Sequence, residues 1–436
     1  MKTRLPYNMD AAASFQEMNA MTYSEVLAAI HGRKRFSSVA SLERMTRLME
    51  RLGNPQDQFR SVHVAGTNGK GSVCAFTESI LRTAGYHVGL FTSPYLVDFR
   101  ERIQVDRNCI PEEMLISCYD AVMTEEESLE KLGNEPINEF ELVTAMGFYA
   151  FAQMHVDFAV IEVGLGGRYD ATNVLRSPEV CCITPISLDH TAVLGNTVAE
   201  IAAEKSGIIK QGVSVVSSVQ EPSAMRVIKE AAEKQGCELI VPQQGAILTE
   251  SREGTRIEYK GHIVNIPLLG RHQVDNALAA WEVCSAIGIS DSDIIAGIEQ
   301  TAWKGRLQYL PGMPPVLIDA GHNPAGIRTL TEALDTLFKE QPLISVMAMM
   351  RDKDFAACIP EIAKRSKTLV ASSVGLPRSL PQDKLADQAE PYCEVLTASS
   401  VSDGIELAKR IAAKDEMILI CGSVYAAGEA VRILDP

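Results

Sequence analysis

The 436 residues exceed what one hydrophobic core ordinarily organises, so two domains are expected. Apolar residues make up 46% of the chain and charged residues 22%, a globular balance, and no apolar run approaches the ~18 residues that cross a bilayer. A formal charge of −15 argues against the broad basic surface that nucleic-acid binding needs, while leaving room for a local anion pocket.

The ten cysteines form no CxxC pair, and Cys181 and Cys182 sit side by side in an apolar run. That usage suits buried thiols in a reducing cytoplasm better than a disulfide frame or zinc site. Lys2 and Arg4 are followed by no uninterrupted apolar stretch, so no signal peptide is read, and the residues up to Met21 read as a loose extension.

The first strong element is SVHVAGTNGKGS, from Ser61 to Ser72. Alternation around Val62 and Val64 predicts a buried strand. Gly66, Thr67, Asn68, Gly69, Lys70, Gly71 and Ser72 follow, and helical periodicity runs over 73–81. A strand, a glycine-rich turn and a helix N-terminus make a phosphate-binding device, because close backbone N–H groups, the helix dipole and a lysine all favour an anion. The loop departs from GxxxxGK[ST], since Gly71 separates Lys70 from Ser72. The plain alternative is a glycine-rich turn with an incidental lysine.

Residues 88–92 predict a strand running into FTSP, where Ser93 points toward the phosphate region. Helical patterns cover 111–132 and 139–154. The strand over 158–163 ends at Glu162, ahead of GLGGRYDATN, where Arg168 and Asp170 offer a cation and an anion. A carboxylate at a strand end beside a nucleotide loop suits Mg²⁺, although a glutamate capping a helix would look the same. The strand over 180–186 leads into SLDHTAVLG, and His190 follows a strand expected to neighbour the one ending in Glu162. Within the helical stretch 198–209, Lys205 sits among apolar residues, so it either meets an anion, loses its proton readily, or snorkels.

A strand over 213–216 and a helix over 222–234 come next. Residues 246–268 switch to polar–apolar alternation with Gly254 and Gly261 at turns, predicting an antiparallel hairpin. Helices over 272–287 and 291–302 carry Asn276, suited to a base or ribose or to helix packing, and lead to Arg306 in WKGR. LPGMPP, residues 310–315, reads as a linker or domain edge. Strands at 316–319, 343–349, 368–372 and 417–421 then predict a smaller α/β unit. Asp319 ends its first strand with His322 just after, so both face an interdomain cleft, unless Asp319 caps the next helix.

Taken together, HVAGTNGKGS, LFTSPYL with RERI, EVGLGGRYDATN, ITPISLDHTAVLGNTVAEIAAEKSGIIK, GRHQVDNA, WKGR and DAGHNP resemble the folylpolyglutamate synthases, folate members of the Mur-ligase-like ATP-dependent amide ligases. The resemblance spans nearly everything from Tyr23 to Tyr425. It implies an α/β fold with a central P-loop ATPase domain on a mostly parallel sheet, residues 1–308, and a smaller C-terminal Rossmann-like domain, residues 309–436. It implies that Gly66 to Ser72 cradle ATP with Asn276, Arg306, Asp319 and His322. Ser93, Glu162 and His190 would hold magnesium, with two Mg²⁺ sites in all, and Lys70, Lys205 and His190 would be catalytic, Lys205 as a carbamylated lysine. Phe140, Glu141, Tyr169, Asp170 and Ala171 would contact the pterin-bearing substrate. Two motifs depart from the family: Ala320 and Gly321 are exchanged relative to DGAHNP, and the late TGS-type motif reads CGSVY from Cys421.

The implied reaction is ATP-dependent addition of L-glutamate to a folate, and to dihydropteroate, through an acyl phosphate. The partners are those small molecules, with neither nucleic acid nor membrane, for a monomer in the cytoplasm. Another Mur-family ligase would need more chain ahead of the ATPase domain. A P-loop switch would have no use for Glu162, His190 and Lys205 together, and no NKxD segment is present.

Overall fold

The structure is a computed structural model that describes residues 21–34 and 41–435. The proposed loose extension lies outside the described residues up to residue 20. Three sheets organise the rest. The first contains β1 (Arg60–Ala65), β2 (Val88–Phe91), β3 (Ile103–Val105), β4 (Asn108–Cys109), β5 (Phe158–Glu162), β6 (Val180–Ile183), β7 (Ser214–Ser217) and β8 (Leu239–Ile240), in the order β4-β3-β2-β5-β1-β6-β7-β8. Its pairs are parallel except along β2-β3-β4.

Strand β1 lies between β5 and β6, so the loop after β1 leaves the sheet where the connections diverge to either side. That reversal opens a crevice beyond the strands' carboxyl ends, the usual ligand position in such sheets. Continuous burial of β5 and β6 follows from helices on both faces. Phe148 and Phe151, from the helix Glu139–Gln153, fill one face, while Phe76 and Trp281 belong to the core of the other.

The antiparallel region is a three-stranded meander, β9 (Ala246–Ser251), β10 (Gly254–Tyr259) and β11 (His262–Ile266), so the expected hairpin becomes two. The third sheet holds β12 (Gln308–Leu310), β13 (Val316–Ile318), β14 (Leu343–Met347), β15 (Ser366–Ala371), β16 (Glu394–Thr397) and β17 (Met417–Cys421), ordered β12-β13-β17-β14-β15-β16. Its pairs are parallel except at β12. Helices Pro324–Leu337, Phe355–Ala363 and Gln382–Ala389 cover one face, and Val401–Ile411 and Val424–Leu434 the other.

The Pro/Gly cluster 310–315 does not run between sheets. It turns the chain from β12 back into β13, which pair antiparallel within the third sheet. All ten cysteines are free. No helix among the described residues is long and apolar enough to cross a membrane.

Candidate active site

The loop after β1 is built by close approach. Gly69 has φ +87°, and a Cβ there would lie 2.4 Å from Asn276 Oδ1; one on Gly66 would lie 1.8 Å from Thr184 Oγ1. Only glycine permits both the left-handed backbone and the contacts. The helix Lys70–Thr83 starts at once, so its first-turn amides at Lys70, Gly71 and Ser72 have no intrahelical acceptor and are available to an anion. The Thr67 and Asn68 amides instead donate to the Pro185 carbonyl, at 3.0 and 3.3 Å, and fasten the loop to the segment after β6.

Glu162 ends β5 with its side chain buried. Its Oε2 accepts the Ser93 N–H at 3.2 Å, and its Oε1 lies 3.9 Å from Lys70 Nζ. Burial raises its proton affinity, with Lys70 opposing. The loop lysine, the strand-end acid and the Ser93 backbone are therefore brought together.

His190 reaches the same mouth by a different route from the one its spacing suggested. Strand β6 does not neighbour β5; β1 lies between them, so Glu162 and His190 flank the loop from opposite sides. His190 holds a left-handed backbone (φ 50°). Its proton affinity is lowered by partial desolvation and then by Lys353, with Lys70 and Lys205 adding to the effect. The imidazole is thus neutral near pH 7 and able to offer a lone pair.

Lys205 is 5% exposed and its Nζ donates to the Gly66 carbonyl at 2.7 Å. Burial, reinforced by Lys70, brings its pKa down to about 7. No carboxylate pairs with it among the described residues, so the anion-partner alternative is not realised, and its burial excludes snorkelling. The helix stops at Lys205, and a 3₁₀ turn Ser206–Ile208 replaces the rest of the predicted 198–209 helix. A Cβ on Gly167 would sit 2.8 Å from the Glu204 and Lys205 carbonyls, so the GLGG segment packs directly on this helix end.

Of the residues assigned to the pterin-bearing substrate, two carboxylates are already engaged. Glu141 closes the capping box of its helix through the Asn138 N–H and pairs with Arg44 at 3.0 Å. Asp170 accepts from the Leu165 N–H at 2.8 Å and from the Thr172 N–H and hydroxyl at 3.0 and 2.5 Å. Because that hydroxyl donates to Asp170, it accepts from His63 Nε2, 2.8 Å away on β1. Ala171 is buried, Tyr169 is exposed, and the Phe140 ring covers Gly164, where a Cβ would come within 2.4 Å.

From the third sheet, Asp319 ends at the cleft without capping a helix. Its oxygens accept the Leu307 and Gly321 N–H groups at 3.0 and 2.8 Å, while Asn323 caps Pro324–Leu337 through the Gly326 N–H at 2.7 Å. His322 Nδ1 donates to the Ala320 carbonyl at 3.0 Å, and burial lowers its pKa to about 4, leaving Nε2 as an acceptor. Among the described residues Arg306 hydrogen-bonds only to the carbonyl of its neighbour Gly305, at 3.3 Å, and its charge is felt by both Glu162 and Asp319. Asn276 donates to Gln273 at 3.0 Å with its oxygen turned to Gly69.

Three residues without an assigned role in the sequence reading join the two halves. Asn323 Nδ2 donates to Asn68 Oδ1 and Asp189 Oδ2, both at 3.1 Å, and Lys353 Nζ donates to Asp189 Oδ1 at 2.8 Å. Burial would raise the Asp189 proton affinity, but Lys353 holds it well below the usual carboxylate range. The signal for Lys353 was present as RDKD directly after a buried strand-like run.

Among the described residues no three His, Cys, Asp or Glu side chains converge as a metal cage. A magnesium ion nevertheless suits this donor set, because it binds through one or two carboxylates and keeps the rest of its shell for waters and phosphate oxygens. Glu162 supplies one buried carboxylate beside Ser93.

The chain matches the Mur ligase middle domain over residues 64–284 and the Mur ligase glutamate ligase domain over residues 305–424. It is 36% identical to a dihydrofolate synthase/folylpolyglutamate synthase of Bacillus subtilis, covering 92% of this chain and 97% of that relative. It is 34% identical to a folylpolyglutamate synthase of Lacticaseibacillus casei, over 94% of this chain and 98% of the relative. The structure of the Mycobacterium tuberculosis folylpolyglutamate synthase complexed with ADP and AMPPCP superposes with a TM-score of 0.87 at 31% identity, covering 95% of this chain and 98% of that one.

Proposed function

The chain belongs to the folylpolyglutamate synthase and dihydrofolate synthase family of Mur ligases, an ATP-dependent ligase adding L-glutamate to a folate, and on that premise we propose that it also accepts dihydropteroate. The observation that carries the site assignment is the meeting of Lys70 and Glu162, 3.9 Å apart, at the mouth of a glycine loop backed by a buried, readily deprotonated lysine.

In this reading the 1–308 unit binds ATP and the 309–436 unit closes over it, acting as a cytoplasmic monomer on small molecules. The first-turn amides at Lys70 to Ser72 and the Lys70 ammonium take the β- and γ-phosphates. Asn276, Arg306, Asp319 and His322 take the rest of the nucleotide. A substrate carboxylate oxygen attacks the γ-phosphorus as the bond to ADP breaks. The glutamate amine then attacks the acyl carbon, the amide forms with loss of a proton, and phosphate leaves with the bonding pair. Positive charge fixed at Lys70 and Arg306 stabilises charge on the transferring group without reorganisation.

Glu162, Ser93 and His190 are the residues that would hold Mg²⁺. When bound, the cation supplies further electrostatic stabilisation of the phosphoryl oxygens. Lys205 is suited to carbamylation. With a pKa near 7 about half its amines are neutral at that pH, and a neutral amine can attack CO₂, form the N–C bond and release a proton. The resulting carboxylate would give a second cation an oxygen ligand that the amine lacks. Phe140, Tyr169 and the Gly164 turn form the surface offered to the pterin, with Asp170 and Glu141 shaping it from behind.

The test is ADP release measured with a folate or dihydropteroate, with and without L-glutamate. Turnover should require both the acceptor and glutamate; ATP cleavage indifferent to glutamate would overturn the ligase reading.

A further inference from the structure

A cavity of about 560 Å³ opens between the FTSP segment, residues 302–306 and the helix Val424–Leu434, within the size range of small-ligand sites. Thr92 and Pro94 at its edge flank Ser93, whose N–H rests on Glu162, so the cavity begins beside the reaction centre. Four cations line it: Arg107, Lys304, Arg306 and Arg432. Its two acids are already engaged. Glu101 accepts the Leu96, Val97 and Asp98 N–H groups at 2.6, 3.0 and 2.9 Å, and Asp435 pairs with Lys304 at 3.1 Å.

Arg306 and Arg432 have no ion-pair partner among the described residues. Arg432 reaches only the Val97 carbonyl, at 3.4 Å. In a chain of net charge −15, this is a locally cationic cavity; Arg306, assigned to the nucleotide, marks its inner end, and Arg432 is the guanidinium left uncommitted. Its floor is apolar, with Pro94 and Trp303, and Arg107 lies over the Trp303 ring at 5.3 Å.

We propose that this cavity is a subsite for the γ-glutamyl tail of the acceptor. The inference rests on the ligase reading above. Each glutamate already attached carries a free α-carboxylate on a short methylene chain, while the growing end must return to Lys70 and Glu162 for every addition. Carboxylates suit guanidinium groups, and methylenes suit the apolar floor.

Arg432→Gln is the test, because Arg432 is exposed on the C-terminal helix and lies outside the catalytic set. At saturating glutamate, KM is measured for the mono- and triglutamyl forms of one folate and for ATP. The triglutamyl KM should rise roughly fivefold, as for loss of one partly exposed charge contact. The monoglutamyl and ATP values should stay unchanged, products should shorten, and Arg432→Lys should recover part of the effect. An equal shift for both folates, no shift, or a shift confined to ATP would overturn the subsite. If the unmodified protein adds no glutamate at all, the ligase reading fails. Calorimetry with free tri-γ-glutamate then decides the subsite by itself: binding weakened by Arg432→Gln supports it, and no binding to the unmodified protein refutes it.

Discussion

The carboxyl edges of the first and third sheets face each other across the glycine loop, and they keep their charges differently. Beside the first sheet, Lys205 has only a carbonyl partner among the described residues, and Glu162 is buried with one backbone donor and a lysine at 3.9 Å. On the third sheet, Asp319 accepts two backbone amides and Asn323 caps a helix. One edge leaves charges short of partners, which a polyphosphate and cation would complete; the other is largely satisfied by its own backbone. The third edge is held against the first through Lys353 and Asp189.

The most severe way to break this contrast is to remove the under-satisfied groups. Lys205→Ala should lower kcat by about 10²- to 10³-fold, the scale of one electrostatic contact at a reacting centre, and short carboxylic acids should restore part of it. A fully active alanine variant would end the carbamylation idea. The same lysine sharpens the comparison through pH. Its pKa is depressed, so the neutral amine gains population as pH rises through about 7. At a fixed concentration of dissolved CO₂, reactivation of CO₂-depleted enzyme, followed by turnover, should therefore strengthen across that interval; an effect falling with pH would contradict it.

Glu162→Gln comes next, with a loss of about 10²-fold in kcat. Titrations of ATP with and without Mg²⁺ should then give nearly the same affinity. A magnesium dependence as large as in the parent protein would place the cation elsewhere.

Lys353→Met acts on the contact between the edges, and about a tenfold loss of kcat/KM is expected from its hydrogen-bonded charge pair. Asp189 has a depressed folded pKa, so its pairing contributes above the usual carboxylate range and is lost only as pH falls through that low folded value. The parent should therefore hold its closed arrangement at pH 5, while the methionine variant opens at a higher pH, measurable by small-angle scattering. Identical acid profiles would remove Lys353 from closure.

The mildest change lies beneath the loop. Thr172→Val interrupts the His63–Thr172–Asp170 series and should cost about 1–3 kcal/mol, by leaving buried polar groups unpaired. Urea unfolding of the two proteins checks it, and an unchanged midpoint would show that the pocket relaxes around the gap.

Much of this arrangement was legible along the chain, because the informative signals are local. Strand β1, its glycine loop and the following helix have periodicities that change abruptly over a dozen residues, and Glu162 is marked by its place at the end of an unbroken apolar run. Strands β4 and β8 have two residues each, and β3, β12 and β16 carry Gln104, Gln308 and Glu394, so none offers the unbroken apolar run that marks β13 at three residues. The Pro/Gly cluster at 310–315 looked like a linker for the same reason: β12 does not declare itself, so a turn inside a sheet resembled a boundary.

What the sequence determined by itself is the chemistry available at each strand end: an anion loop, a buried acid, a lysine among apolar residues and a C-terminal α/β unit. Strand adjacency was beyond it, because insertion of β1 between β5 and β6 depends on pairings separated by scores of residues. The engagement of Asp170 and Glu141, the meeting of Asn323 with Asn68, and the pairing of Lys353 with Asp189 were likewise decided only by the tertiary structure. Hydrogen bonds and ion pairs act over a few ångströms in space, and spacing along a chain leaves that distance undetermined.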